Sequence, residues 1–300
     1  MHRRDFLRAG VASAILPAWA EGGLESRLCL FTDHLGGFQY KEVARMLAEL
    51  KIAGPDLTVR RGGLVPPDRV TEELPKAAAI FRDHGLSIPM ITTSITSADE
   101  TARSVLTAAS KAGVRYYKLG YFAYKDLARW QETINQTRQD LRALSSLGRE
   151  LGIRAGLHNH SGPTVGCDLW DSWEALKDVD PAQVGFFFDP AHASIEGGKN
   201  GWNLSFRRLA PRLFMIAVKD YLWEKTPTGW KTRWVPLGQG MAPLSDFFQL
   251  LKTVNWPGPL SLHIEYDPGG KTKTERYDRS LEAAAKDLSY MRGRLREAGL

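Results

Sequence analysis

Eight short apolar runs alternate along this chain with longer stretches of helical periodicity, and that alternation leaves few folds open. The runs are 28-LCLFT, 56-DLTVR, 88-IPMITT, 114-VRYYKLG, 153-IRAGLHNH, 184-VGFFFD, 213-LFMIAVKD and 260-LSLHIE. Each is too brief for a helix and suits a strand buried on both faces. Between them lie 40-YKEVARMLAEL, 68-DRVTEELPKAAAIFRDHG, 98-ADETARSVLTAASKAG, a helical stretch over 127–151, 170-WDSWEALKD, 203-NLSFRRLA and 244-LSDFFQLLKT. Asp99 and Asn203 read as helix-opening caps, and Gly85 and Gly113 as closing glycines. Strands that alternate with helices pair in parallel, because a parallel neighbour is reached only by a long crossover. Eight such units predict a single-domain α/β fold, a (β/α)8 TIM barrel. A doubly wound open sheet is the runner-up, but no Gly-x-Gly-x-x-Gly follows the first strand.

No repeat, low-complexity tract or linker divides the chain, and 300 residues with 43% hydrophobic content suit one barrel-sized domain, assigned to 21–300. Residues 1–20, MHRRDFLRAGVASAILPAWA, stand apart. Paired arginines, Phe6-Leu7, a short apolar stretch and Ala18-Trp19-Ala20 resemble a twin-arginine export signal, which implies a periplasmic protein. The stretch is too short for stable membrane insertion. Of the net charge of +6, this segment carries two, and the rest is too dispersed to favour nucleic acid. A periplasmic chain could pair Cys29 with Cys167, but Cys29 reads more simply as a small core residue.

The chemistry gathers at the ends of the later strands. Alternate strand residues share a face, so His158 pairs with His160, Ala217 with Lys219, and His263 with Glu265 and Ser261. Two imidazoles on one side of a strand end can serve a metal or a substrate. Asp189 ends Phe186-Phe187-Phe188, where a carboxylate needs a cation or hydrogen-bond donors; capping of a following helix is the alternative. His192 would sit above the same pocket as a substrate contact or proton carrier. Lys219 should point inward, to neutralise an enolate-like oxygen or act as a base, with Asp220 turned away to anchor the next loop. Glu265 fits metal ligation or proton abstraction. Arg60, Thr58, Tyr116 and Lys118, with His263, are candidate substrate contacts. The long irregular segment 221–243 carries Trp223, Trp230 and Trp234, a lid over the pocket or a hairpin on the barrel rim.

Together 56-DLTVRRGG, the HNH run, 186-FFFDPAHAS, 217-AVKDYLW, 236-PLGQGM and 261-SLHIEY resemble the xylose-isomerase-like barrel superfamily, specifically its sugar phosphate isomerase/epimerase-type proteins. The resemblance implies a divalent metal (Mn, Co, Zn or Mg) that polarises a hydroxy-carbonyl unit, and an acid/base that moves a proton. Epimerases of that type use a glutamate, an aspartate, a histidine and a second glutamate as ligands. Asp189 and Glu265 match two of these; His158 stands at the first glutamate, and Ala217 at the histidine of the usual His-x-Lys-Asp run. An ion would therefore recruit His158 or His160, or be weakly held or absent. The expected function is an exported carbohydrate-active isomerase/epimerase, or a lyase or hydratase on 3-keto sugars. Glu265 or His192 would move the proton and Lys219 would stabilise the oxyanion, with a small sugar as partner. The alternative is a non-catalytic sugar-binding barrel with a degenerate metal site. No phosphate-cradling loop stands out, and oligomeric state stays open.

Overall fold

The computed structural model describes residues 23–254, 256 and 258–300, so the expected export signal lies outside the described residues. The eight expected strands form: β1 (Leu28–Phe31), β2 (Gly54–Val59), β3 (Met90–Thr93), β4 (Tyr116–Lys118), β5 (Arg154–His158), β6 (Val184–Phe188), β7 (Leu213–Val218) and β10 (Leu260–Leu262). All neighbours pair in parallel and the sheet closes in the order β1-β10-β7-β6-β5-β4-β3-β2. Closure explains the continuous apolar runs, since helices cover the outer face and packed side chains fill the inside. Seven of the helices flank the strands in chain order: α1 (Tyr40–Glu49), α2 (Val70–Asp83), α3 (Glu100–Lys111), α4 (Trp130–Leu151), α5 (Leu169–Leu176), α6 (Pro190–Leu209) and α7 (Leu244–Leu251).

The barrel interior is layered, which fixes the depth of the pocket. Cys29, Met90, Tyr116, Phe187, Met215 and Ala217 form a buried plug. Gly156 faces it, where a Cβ would meet Met215 Cε at 2.0 Å. Tyr116, expected as a substrate contact, belongs to this plug. One residue pair further up the same face of β4, Lys118 reaches the mouth. Cys29 and Cys167 are both free thiols, as the simpler reading had it.

Two departures from the sequence reading matter for the site, and one of its open alternatives is decided. Helix α6 starts at Pro190 and not at Asn203, whose side chain accepts a hydrogen bond from Arg207 inside the helix. Gly197, Gly198 and Gly201 disguised the earlier turns, and Gly198 indeed breaks the helix with φ 59. The C-terminal helix α8 (Lys273–Ala298) was not foreseen, although Thr272 and Glu275 form a capping box at its start. The segment after β7 is an antiparallel hairpin, β8 (Asp220–Thr226) with β9 (Gly229–Val235). Asp220 anchors it: Oδ2 accepts from Gly238 and Gly240 N–H, and Oδ1 from Tyr221 and Ala242 N–H. None of the described helices is long and apolar enough to cross a membrane.

Candidate active site

The C-terminal ends of the strands open into a cavity of about 700 Å3. Its lining includes Arg60, Lys118, His158, His160, His263 and Glu265, all expected there from the sequence. Asp189, His192 and Lys219 close its floor on the β6 and β7 side, each at most 2% exposed.

Asp189 caps the following helix, as the alternative reading of its position had it. Its Oδ1 caps α6 by accepting from Ala191 and His192 N–H at 2.8 and 3.0 Å. Asn159 clamps its backbone, giving Nδ2–H to the Asp189 carbonyl and taking the Asp189 N–H. That leaves Oδ2 buried with no hydrogen-bond partner among the described residues. Lys219 Nζ stands 3.4 Å from it, His158 Nε2 3.6 Å and His192 Nε2 4.0 Å. The same Nζ donates to Glu265 Oε1 at 2.7 Å. Trp234 covers this ammonium, with its ring centroid 4.4 Å away, and meets the His192 ring edge-on at 5.2 Å. Of the three tryptophans, Trp234 is therefore a pocket wall, while Trp223 and Trp230 are exposed on the hairpin.

Protonation states follow from burial and neighbours. Burial pulls His158 and His192 well below the ordinary histidine value; Lys118 and Lys219 push His158 further, and Lys219 does the same to His192. His160 is lowered for the same reasons, less strongly. Burial pushes the Glu265 carboxyl up, but Lys219 and His263 outweigh it and hold the group well below the usual carboxylate range. His263 is pulled down by burial and raised more by the Asp56 and Glu265 carboxylates, so it ends above its ordinary value. Lys118, buried near Arg60, falls to about 7 and lies 3.5 Å over the Tyr121 ring.

The tautomer of His192 can be read from its partners. The Ser161 backbone N–H donates to Nδ1 at 3.2 Å, and an N–H can only donate. The neutral ring therefore carries its proton on Nε2, facing Asp189 Oδ2 and the pocket. His192 is thus set as a hydrogen-bond donor at Nε2 and Glu265 as a carboxylate acceptor, with the Lys219 ammonium between Glu265 and Asp189.

Three participants escaped the sequence reading. Asp56 is fully buried; Thr92 Oγ1–H and Ser261 Oγ–H donate to its two oxygens at 2.8 Å, and His263 Nε2 lies 3.7 Å away. It shares the alternating face of Thr58 and Arg60, so extending that alternation by one step would have found it. Thr58 itself bonds to Thr32 and Leu64 and holds the loop rather than the pocket. Tyr121 and Ser161 sit on loops after strands, where periodicity gives no signal.

A divalent ion does not fit this arrangement. No group of three or more His, Cys, Asp or Glu side chains among the described residues is placed to hold one. Of the candidate ligands, Asp189 and Glu265 share the Lys219 ammonium, and His160, whose Nδ1–H donates to the Ser161 carbonyl, has only its Nε2 lone pair to offer. An ion about 2.1 Å from Glu265 Oε1 would lie within about 5 Å of Nζ. At an effective dielectric of about 20, that costs about 7 kcal/mol in repulsion.

A closed parallel barrel with its polar side chains gathered at the strand C-termini defines a TIM barrel with an enzyme-like site. The family model described as Xylose isomerase-like TIM barrel matches residues 45–292, and the chain belongs to that family. No curated protein matches it. Among solved structures it is similar to a D-tagatose 3-epimerase-like protein, with TM-score 0.69 and 13% identity over 91% of this chain and 98% of that one. A Xylose isomerase-like TIM barrel protein from Mycobacterium smegmatis in complex with magnesium has TM-score 0.66 and 17% identity, covering 91% and 97%. The 3-keto-D-glucoside 4-epimerase from E. coli has TM-score 0.66 and 12% identity, covering 89% and 99%. At these identities the likeness establishes the fold, and sugar epimerases are among its neighbours.

Proposed function

We propose that this protein is a carbohydrate-active isomerase, epimerase or lyase that removes a proton from the carbon next to a sugar carbonyl. One observation carries the reading: the Lys219 ammonium stands 2.7 Å from the Glu265 carboxylate and 3.4 Å from Asp189 Oδ2, and the Nε2–H of a neutral His192 lies 4.0 Å from that same Asp189 oxygen. That is an electrophile flanked by a base and an acid. The epimerases among the structural neighbours support the same class.

The steps follow from the charges. A substrate carbonyl oxygen takes a hydrogen bond from Lys219, which acidifies the adjacent C–H. Glu265 accepts that proton, and the electron pair moves onto the carbonyl oxygen as an enediolate, which Lys219 stabilises. His192 then delivers a proton from Nε2, and the imidazolate so formed regains one from the protonated Glu265 by way of water, which restores both groups. Reprotonation on the opposite face gives an epimer, at the neighbouring carbon an isomer, and loss of a group β to the carbanion gives elimination. Trp234 and Tyr121 offer flat apolar walls of the kind sugar rings stack on. Lys118 and Arg60, on the far side of the mouth, are placed to bind the rest of the sugar. Incubation of wild type and Glu265→Gln with a panel of ketoses and 3-keto glycosides tests this. Product from wild type alone supports it, and no turnover of any member by wild type overturns it.

The twin-arginine pattern of residues 1–20 supports export of this enzyme to the periplasm. N-terminal sequencing of the protein from a periplasmic fraction checks it; cleavage after Ala20 is expected, and an uncleaved cytoplasmic chain contradicts it.

A further inference from the structure

We infer that Lys219 is the resident cation of this pocket and takes the place a divalent ion would otherwise hold; the inference rests on the proton-transfer reading above. Nζ lies 2.7 Å from Glu265 Oε1 and 3.4 Å from Asp189 Oδ2, and the side chain is 2% exposed under the Trp234 ring. It is thus built in at the end of β7 between the two carboxylates that an ion would need. The other donors do not make up a ligand set. Ala217, two residues earlier on the same strand face, has none. His192 presents a protonated Nε2, because the Ser161 N–H occupies Nδ1. His160, whose Nδ1–H donates to the Ser161 carbonyl, is left with Nε2 as its one lone pair, and no group of three His, Cys, Asp or Glu side chains among the described residues is placed to hold an ion.

The substitution changes what the site can recognise. A divalent ion chelates two adjacent oxygens of a hydroxy-carbonyl unit. An ammonium has three N–H groups and no chelating geometry, and one of them is committed to Glu265. Lys219 therefore needs only a single carbonyl oxygen, so the pocket suits keto sugars whether or not the flanking hydroxyl can be chelated.

Elemental analysis of the purified full chain, followed by calorimetric titration with Mn²⁺ and with Zn²⁺, tests the assignment on wild type, Lys219→Met and Lys219→Arg. Wild type and Lys219→Arg should carry no stoichiometric ion. Lys219→Met, which leaves Asp189, Glu265 and His158 facing one another without a cation, should bind about one ion per chain at least about tenfold more tightly than wild type. A wild-type chain holding about one divalent ion that is lost in Asp189→Ala would overturn the assignment. So would a folded Lys219→Met with no gain in metal affinity. Should Lys219→Met not fold, the metal content of wild type decides the matter alone. Because the readout is metal binding, a chain that behaves as expected here yet turns over no sugar contradicts the proton-transfer reading and leaves the cation in place.

Discussion

Asp189 and Asp220 end neighbouring strands, both at most 2% exposed, yet one points at chemistry and the other at scaffold. Asp220 has both oxygens filled by four backbone N–H groups, which pin the β8–β9 hairpin and the turn after it. Asp189 has one oxygen filled by the N-terminus of α6 and the other left for Lys219, His158 and whatever enters the pocket. A buried carboxylate with every lone pair satisfied is finished; one with an oxygen open still awaits a partner. Asp56, with one hydroxyl donor on each oxygen from Thr92 and Ser261, falls on the structural side while steadying His263.

The contrast breaks most visibly in substitutions to asparagine. Asp189→Asn keeps an oxygen able to cap α6 but removes the charge beside Lys219. Turnover should fall by roughly 10²–10³, with unfolding free energy changed by only about 1 kcal/mol; steady-state kinetics beside urea denaturation checks both. Asp220→Asn should do the reverse. Its NH₂ would face the Gly238 and Gly240 N–H groups with donors on both sides, a loss of roughly 3 kcal/mol in stability, while the folded fraction keeps turnover within a factor of a few. Equal loss of activity in both variants would erase the distinction.

A smaller effect separates the buried histidines from the carboxylates. Folded His158 and His192 resist a proton that the unfolded chain takes up near 6.5, so their contribution is full above that pH and shrinks as pH falls below it. Glu265, lowered on folding, adds a second loss as pH drops below its ordinary 4.5 toward its folded value. His263, raised on folding, works in the opposite sense: its contribution is present below 6.5 and is lost as pH rises through its raised value. His160 and His34 are lowered as well, and four lowered rings against one raised ring predict net destabilisation below about pH 6.5. Denaturation midpoints measured from about pH 8 to about pH 5 should fall toward acid, and His192→Asn should flatten the slope. The mildest change is Trp234→Ala, which removes one wall. Sugar affinity should drop about tenfold, read by calorimetry, while Trp230→Ala on the exposed hairpin leaves it unchanged.

The barrel was legible because its strands are buried on both faces and so read as unbroken apolar runs. Lys219, Asp189, His158 and Glu265 were legible because each closes such a run. Helix α8 was not, since its 26 residues are largely polar and only a thin apolar stripe faces the barrel. It nonetheless braces the site: Asp287 accepts from the Leu237 N–H and the Tyr266 hydroxyl, tying α8 to the loops on either side of the pocket. Lys219 between two carboxylates was likewise hidden, because Asp189, Lys219 and Glu265 lie far apart in sequence and meet only through closure of the sheet. Ser161, which sets the His192 tautomer through a backbone N–H, leaves no side-chain pattern to read.

Proton transfer at a carbon beside a carbonyl leaves a mark that needs no knowledge of the final product. Ketoses and 3-keto glycosides incubated with the purified protein in deuterated water should exchange the hydrogen next to the carbonyl, seen as loss of that proton signal by NMR, and Glu265→Gln should slow the exchange by roughly 10²–10⁴. Saturable sugar binding by wild type with no exchange into any bound sugar would contradict an enzymatic site and leave a barrel that only holds its ligand.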